Sequence, residues 1–195
     1  MAGYSTNGVP LAAAVTGAER FAIDTQAANG INPQTAAMTL VQLAAAISFL
    51  NNNTSLTPVA GSRYYTSVSV GATGSGNTTF TGISALIGAT GGTDKFIYEL
   101  HDSTGALVAT TALAGVTVGT AGTWQQIPFT APVSIAPGNY FIVVQNNGTT
   151  ARIATYNAPT SPLLTGSATG TFGTSASITP PTTYTAGVGP VATLY

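Results

Sequence analysis

From Arg63 to Tyr195 the sequence is a succession of short runs rich in Val, Ile, Thr, Tyr and Phe, separated by Gly- or Pro-containing breaks. The runs occupy 63–70, 78–87, 94–101, 106–112, 123–129, 139–145, 151–156 and 183–194. β-branched and aromatic side chains suit the pleated, half-buried surface of a strand, and breaks at this spacing belong to a sandwich. The 34 threonines and 23 glycines push the same way, toward short strands and tight turns. The sequence therefore predicts a mainly β protein, an antiparallel β-sandwich, and eight or more strands suggest a jelly roll.

The clearest hairpin lies between Lys95 and Thr111. Phe96, Tyr98 and Leu100 alternate there with Ile97, Glu99 and His101, and the turn Asp102-Ser103-Thr104-Gly105 follows. Gly105 is suited to a left-handed position, and Asp102 can cap the turn through nearby backbone amides. The spacing puts Glu99 and His101 on the solvent face of a half-buried strand.

Residues 1–60 read as a separate piece, an N-terminal arm, with the β-domain at 61–195. Within Val15 to Thr25 an extended run places Phe21 and Ile23 on one face, and Ala28 to Pro33 is a loop by its Asn-Gly and Asn-Pro pairs. Thr39 with Gln42 forms a T-x-x-Q capping box before Leu40, Val41, Leu43, Ala44, Ile47 and Leu50, which predicts one short α-helix over about 40–50. Asn51 to Asn53 ends it, and 57–61 reads as a linker. Residues 157–182, with four prolines and little hydrophobic pattern, predict a long ordered loop of the kind that serves function or an interface.

Charge excludes several function classes. Only 4 basic and 5 acidic residues are present, for a net charge of −1. Arg20, Arg63, Lys95 and Arg152 are too scattered to make the basic face that displaces counterions from a nucleic acid or holds an anionic membrane. The most apolar window, 36–50, is too short to span a bilayer, so no membrane association is expected. The N-terminus lacks the basic start and unbroken apolar core of a signal peptide. There is no cysteine, which removes disulfides and thiol chemistry and leaves packing to hold the fold.

The chemistry that remains is sparse. Glu99 and His101 are the one carboxylate–histidine pair at a workable spacing, and a cation site would have to draw on Asp94, Glu99 and Asp102 without the loop pattern that such sites carry. The glycine runs 71–76 and 88–92 precede no helix and read as turns. No catalytic residue, cofactor site or metal site is therefore expected, and no enzymatic activity. Trp124, leading into Ile127 and Phe129, reads as a core residue, with a sugar-stacking platform as the alternative. Tyr64, Tyr65, Tyr156 and Tyr184 are candidate rim aromatics for a glycan or an interface.

Two stretches resemble known families. Pro10-Leu11, Thr16-Gly17-Ala18-Glu19-Arg20-Phe21-Ala22-Ile23-Asp24-Thr25, Asn32-Pro33 and Thr39 to Ala44 resemble a module near the N-termini of tailed-bacteriophage virion proteins, among them head fibres, decoration proteins and tail-associated proteins. Trp124 to Val143, WQQIPFTAPVSIAPGNYFIV, is similar to a strand–turn–strand pattern of jelly-roll modules in phage and carbohydrate-binding proteins. The resemblance implies a structural virion component, a capsid decoration, cement or head-fibre protein assembled in the bacterial host's cytoplasm. It would dock through Phe21, Ile23, Leu40, Val41, Leu43, Ile47 and Leu50, and its partners would be other virion proteins, such as the capsid protein, and further copies of itself in a homotrimer or other symmetric oligomer. The alternative it leaves open is a glycan-binding adhesin module of a phage fibre or tail, facing a host surface glycan.

Overall fold

The structure is a computed structural model describing residues 53–71, 76–158 and 161–195, together with the backbone of two short strands before them. The chain divides into two compact units, Met1–Asn51 and Asn52–Tyr195. In the first, β1 (Arg20–Ile23) pairs antiparallel with β2 (Ala36–Thr39), Arg20 facing Thr39 and Ile23 facing Ala36. The extended run expected around Phe21 and Ile23 is thus a strand. The helix expected over 40–50 lies outside the described residues, as do Leu40, Val41, Leu43, Ile47 and Leu50. No helix occurs among the described residues.

The second unit begins earlier than the sequence suggests. Residues 53–56, read as the end of a helix and the approach to a linker, form strand β3 (Asn53–Leu56), which pairs with β11 (Ile153–Tyr156). β4 (Ser62–Val70), β5 (Thr78–Leu86), β6 (Lys95–Asp102) and β7 (Leu107–Thr110) follow close to their expected bounds. After the two-residue β8 (Val116–Thr117) come β9 (Trp124–Ile135), β10 (Gly138–Asn146), β12 (Thr165–Thr169) and β13 (Ala192–Leu194).

These strands make two principal antiparallel sheets. One runs β12-β4-β10-β6-β7 with β8 also on β6, and the other runs β13-β5-β9. Alternation turns Tyr64, Tyr98, Leu100, Ile142 and Val144 of the larger sheet toward Ile83, Ala85, Ile127 and Phe129 of the smaller, and all belong to one core cluster. The arrangement is β-sandwich-like. The chain passes between sheets at Ala136-Pro137, where β9 leaves β5 and β10 enters between β4 and β6. Proline suits that corner because it fixes φ and needs no ladder partner.

The 95–111 hairpin forms as the sequence predicts. The Asp102 carboxylate accepts hydrogen bonds from the Thr104 amide at 2.8 Å and the Ala106 amide at 3.0 Å, and Gly105 adopts φ +88°. A Cβ at Gly105 would lie 2.0 Å from the Ile178 carbonyl oxygen, so glycine there serves both the turn and a close approach.

The larger sheet has a second buried face. Tyr65, Phe141 and Val143 pack there with Ile178 and, at the margin, Leu164. Most of β6 and β10 is consequently buried on both sides. Shortening Ile142, fully buried at the sheet's centre, should therefore be expensive. Ile142→Ala is expected to lower unfolding free energy in urea by about 2–5 kcal/mol, whereas Thr79→Ala at an exposed position of β5 should change it by less than about 0.5 kcal/mol.

Candidate functional site

Four charged or polar side chains of the β-domain, Arg63, Glu99, His101 and Gln145, converge under the C-terminal segment. The register places Arg63 of β4 opposite Gln145 of β10, with Glu99 of β6 opposite Val143 and His101 opposite Phe141. All four polar residues therefore share the second face of the larger sheet. They are buried, and Glu99 and His101 expose nothing. The expectation that Glu99 and His101 face solvent is corrected: alternation fixes which residues share a face, not what covers it.

What covers it is residues 171–182. The two terminal guanidinium nitrogens of Arg63 donate to the Ala176 carbonyl at 3.0 Å and the Thr174 carbonyl at 2.8 Å. Gln145 Nε2 donates to Glu99 Oε1 at 3.0 Å and to the Thr174 carbonyl at 2.9 Å. His101 Nε2 meets Glu99 Oε2 at 3.2 Å, and its Nδ1 meets the Gly105 carbonyl at 3.1 Å. The Ile178 amide closes the set on the Gly105 carbonyl at 2.9 Å. A buried charge must find such partners, since an isolated ion in a low-dielectric interior costs many kcal/mol. Burial works against ionisation of Glu99, but the hydrogen bond from His101 and the nearby Arg63 charge outweigh it and hold its pKa below the ordinary value.

This geometry secures the segment rather than presenting a reactive group. Glu99 and His101 line neither the cleft between β12 and residues 179–185 nor the one beside Ser67, Asn139 and Leu163. The first, about 570 Å³, has Tyr65, Gly166, Ser167, Pro180 and Pro181 among its walls and no charged side chain. Asp94 and Asp102 lie apart from Glu99 in function. Asp94 accepts the Thr150 and Ala151 amides, each at 2.8 Å, and Asp102 caps its turn, so each carboxylate fastens a loop. Among the described residues no group of three or more His, Cys, Asp or Glu could hold a metal ion. No helix among them is long and apolar enough to cross a membrane.

The candidate rim tyrosines are distributed otherwise than expected. Tyr64 belongs to the main core, its hydroxyl accepting from the Val59 amide at 2.8 Å, and Tyr65 belongs to the second cluster and exposes only 3% of its surface. Neighbours in a strand point to opposite faces, and both faces of this sheet are covered. Tyr156 and Tyr184 are half-buried. Neither side chain of Phe21 nor of Ile23 is among those described.

Trp124 reverses its assignment as a core residue, being 54% exposed. Ile127 and Phe129 lie three and five positions along β9, so strict alternation turns them inward and Trp124 outward. That odd offset was the available signal.

The buried pair gives a pH signature. A carboxylate whose pKa is depressed by folding stabilises the protein above its unfolded pKa and loses that contribution as pH falls through the folded one. Unfolding temperature should therefore fall on acidification below about pH 4.5. In Glu99→Gln that dependence should be weaker, with stability at pH 7 reduced by about 1–3 kcal/mol. An unchanged acid profile in the variant would contradict the assignment.

No family model matches the chain, and no curated protein or solved structure matches it.

Proposed function

We propose that this protein is a structural component of a tailed-bacteriophage virion, a capsid decoration, cement or head-fibre protein that docks through its N-terminal unit and projects the β-domain. The observation that carries the reading is the resemblance of Pro10 to Ala44 to the N-terminal module of such virion proteins. The near absence of charge supports it, because symmetric copies packed side by side avoid repeated like-charge repulsion. On this reading the body is a jelly-roll variant, a reading supported by the chain's passage between sheets at Pro137 and the antiparallel pairing. The protein assembles in the bacterial cytoplasm as a homotrimer or other symmetric oligomer, with the capsid protein as its main partner and no catalytic step of its own.

The unit boundary sharpens the test. Removing residues 1–60 would also take away β3, so the informative cut falls between Asn51 and Asn52. The full chain is expected to co-sediment with phage particles lacking it, and residues 52–195 are expected to keep the β-rich circular dichroism spectrum without co-sedimenting. Particle binding by residues 52–195 equal to that of the full chain would refute docking through the N-terminal unit.

A further inference from the structure

On the outer face of the β13-β5-β9 sheet Trp124, Gln126, Pro128 and Thr193 are exposed. Partners in the register share a face, so Trp124 stands beside Leu86, and the next row crosses all three strands as Thr193, Ser84 and Gln126. One row further, Gly82 faces Pro128, and a Cβ on Gly82 would lie 2.6 Å from the Tyr195 hydroxyl oxygen. The Tyr195 side chain therefore reaches over Gly82, and Tyr195 is not a member of the core cluster. The two aromatics bracket a strip of hydroxyl and amide groups whose end rows are four residues apart, about 13 Å along the strand.

Two features of this strip specify its occupant. Trp124 leaves 54% of its surface in water although its strand neighbours Ile127 and Phe129 are buried, so it presents an apolar ring face flanked by neutral donors and acceptors. No charged residue occurs on β5, β9 or β13, and Arg152 packs against Gly88 beyond the end of β5. A polyanion finds no counter-charge here. A neutral pyranose chain matches on both counts, because its ring has an apolar C–H face to stack on an indole and equatorial hydroxyls that exchange hydrogen bonds with amides and hydroxyls.

We propose that this face binds a neutral oligosaccharide, with one pyranose ring stacked on Trp124 and its neighbours in hydrogen-bonding reach of Gln126, Ser84 and Thr193. The site is distinct from the candidate rim tyrosines, and it stands apart from the virion reading, since particle docking is assigned to residues 1–51.

Trp124 is the chain's single tryptophan, so its fluorescence reads the site directly. Full-length protein is titrated with cellohexaose, laminarihexaose and β-1,4-galactohexaose. The expected result is a saturable shift of Trp124 emission with at least one of them. By calorimetry, binding should be weakened about tenfold or more in Trp124→Ala, less in Gln126→Ala, and restored in part by Trp124→Phe, with unfolding temperatures unchanged. The proposal is overturned if none of the three hexasaccharides gives a saturable response, or if Trp124→Ala binds as the parent does. It is also overturned if, without sugar, the emission shifts to the blue with rising protein concentration while sedimentation shows self-association, which would assign the face to a second copy of the chain.

Discussion

Arg63 and Glu99 are ionisable groups buried in the domain, and that placement governs the second half of the fold. An uncompensated buried guanidinium or carboxylate would destabilise the domain by more than its few kcal/mol of net stability. For Glu99 the compensation comes from the His101 and Gln145 side chains, and for Arg63 from the backbone of a segment with almost no hydrophobic pattern. Thr174 and Ala176 supply carbonyls to Arg63 and Gln145, and the Gly105 carbonyl takes both His101 and the Ile178 amide. Residues 171–182 are ordered by polar obligations on the sheet rather than by burying a face of their own. Once in place they also seal Tyr65, Phe141 and Val143 from water.

The two sheets consequently differ in kind. The larger is covered on both faces, by the main core on one side and the C-terminal segment on the other, and its central strands read as nearly unbroken buried runs. Continuous burial of this sort is more usual where helices flank a sheet; here an irregular segment does the work of a layer. The smaller sheet keeps one face in solvent, which is where Trp124, Gln126, Ser84 and Thr193 stand. Chemistry is hidden on the first sheet and displayed on the second.

Much of the β-domain was legible in the sequence. Strands β4 to β7, β9 and β10 follow period-two runs, and the Asp102–Gly105 turn carries its own residue signature. What escaped has physical reasons. β3 (N-T-S-L) and β12 (T-G-S-A-T) have no alternation to read, and each is a strand by pairing with a neighbour distant in sequence. The long run expected at 183–194 shrinks to Ala192–Leu194, because Thr183 and Thr185 are committed to Thr165 across the loop. The polar cluster was half visible: Glu99 and His101 were paired correctly by spacing, but Arg63 and Gln145 join them only through register, and their cover lies more than seventy residues further on from His101. Trp124 was misread because the residues after it were weighed as a group instead of by parity.

The central claim is that the patternless segment 171–182 is an integral layer of the domain, held by the buried cluster. Amide hydrogen exchange followed by NMR on the full chain tests it at Ile178, whose N–H donates to the Gly105 carbonyl at 2.9 Å. The Ile178 amide is predicted to exchange as slowly as the amides of β10, opening only with global unfolding. Exchange at Ile178 orders of magnitude faster than in β10 would show the segment lifting off while the sandwich stays folded, and would contradict the account.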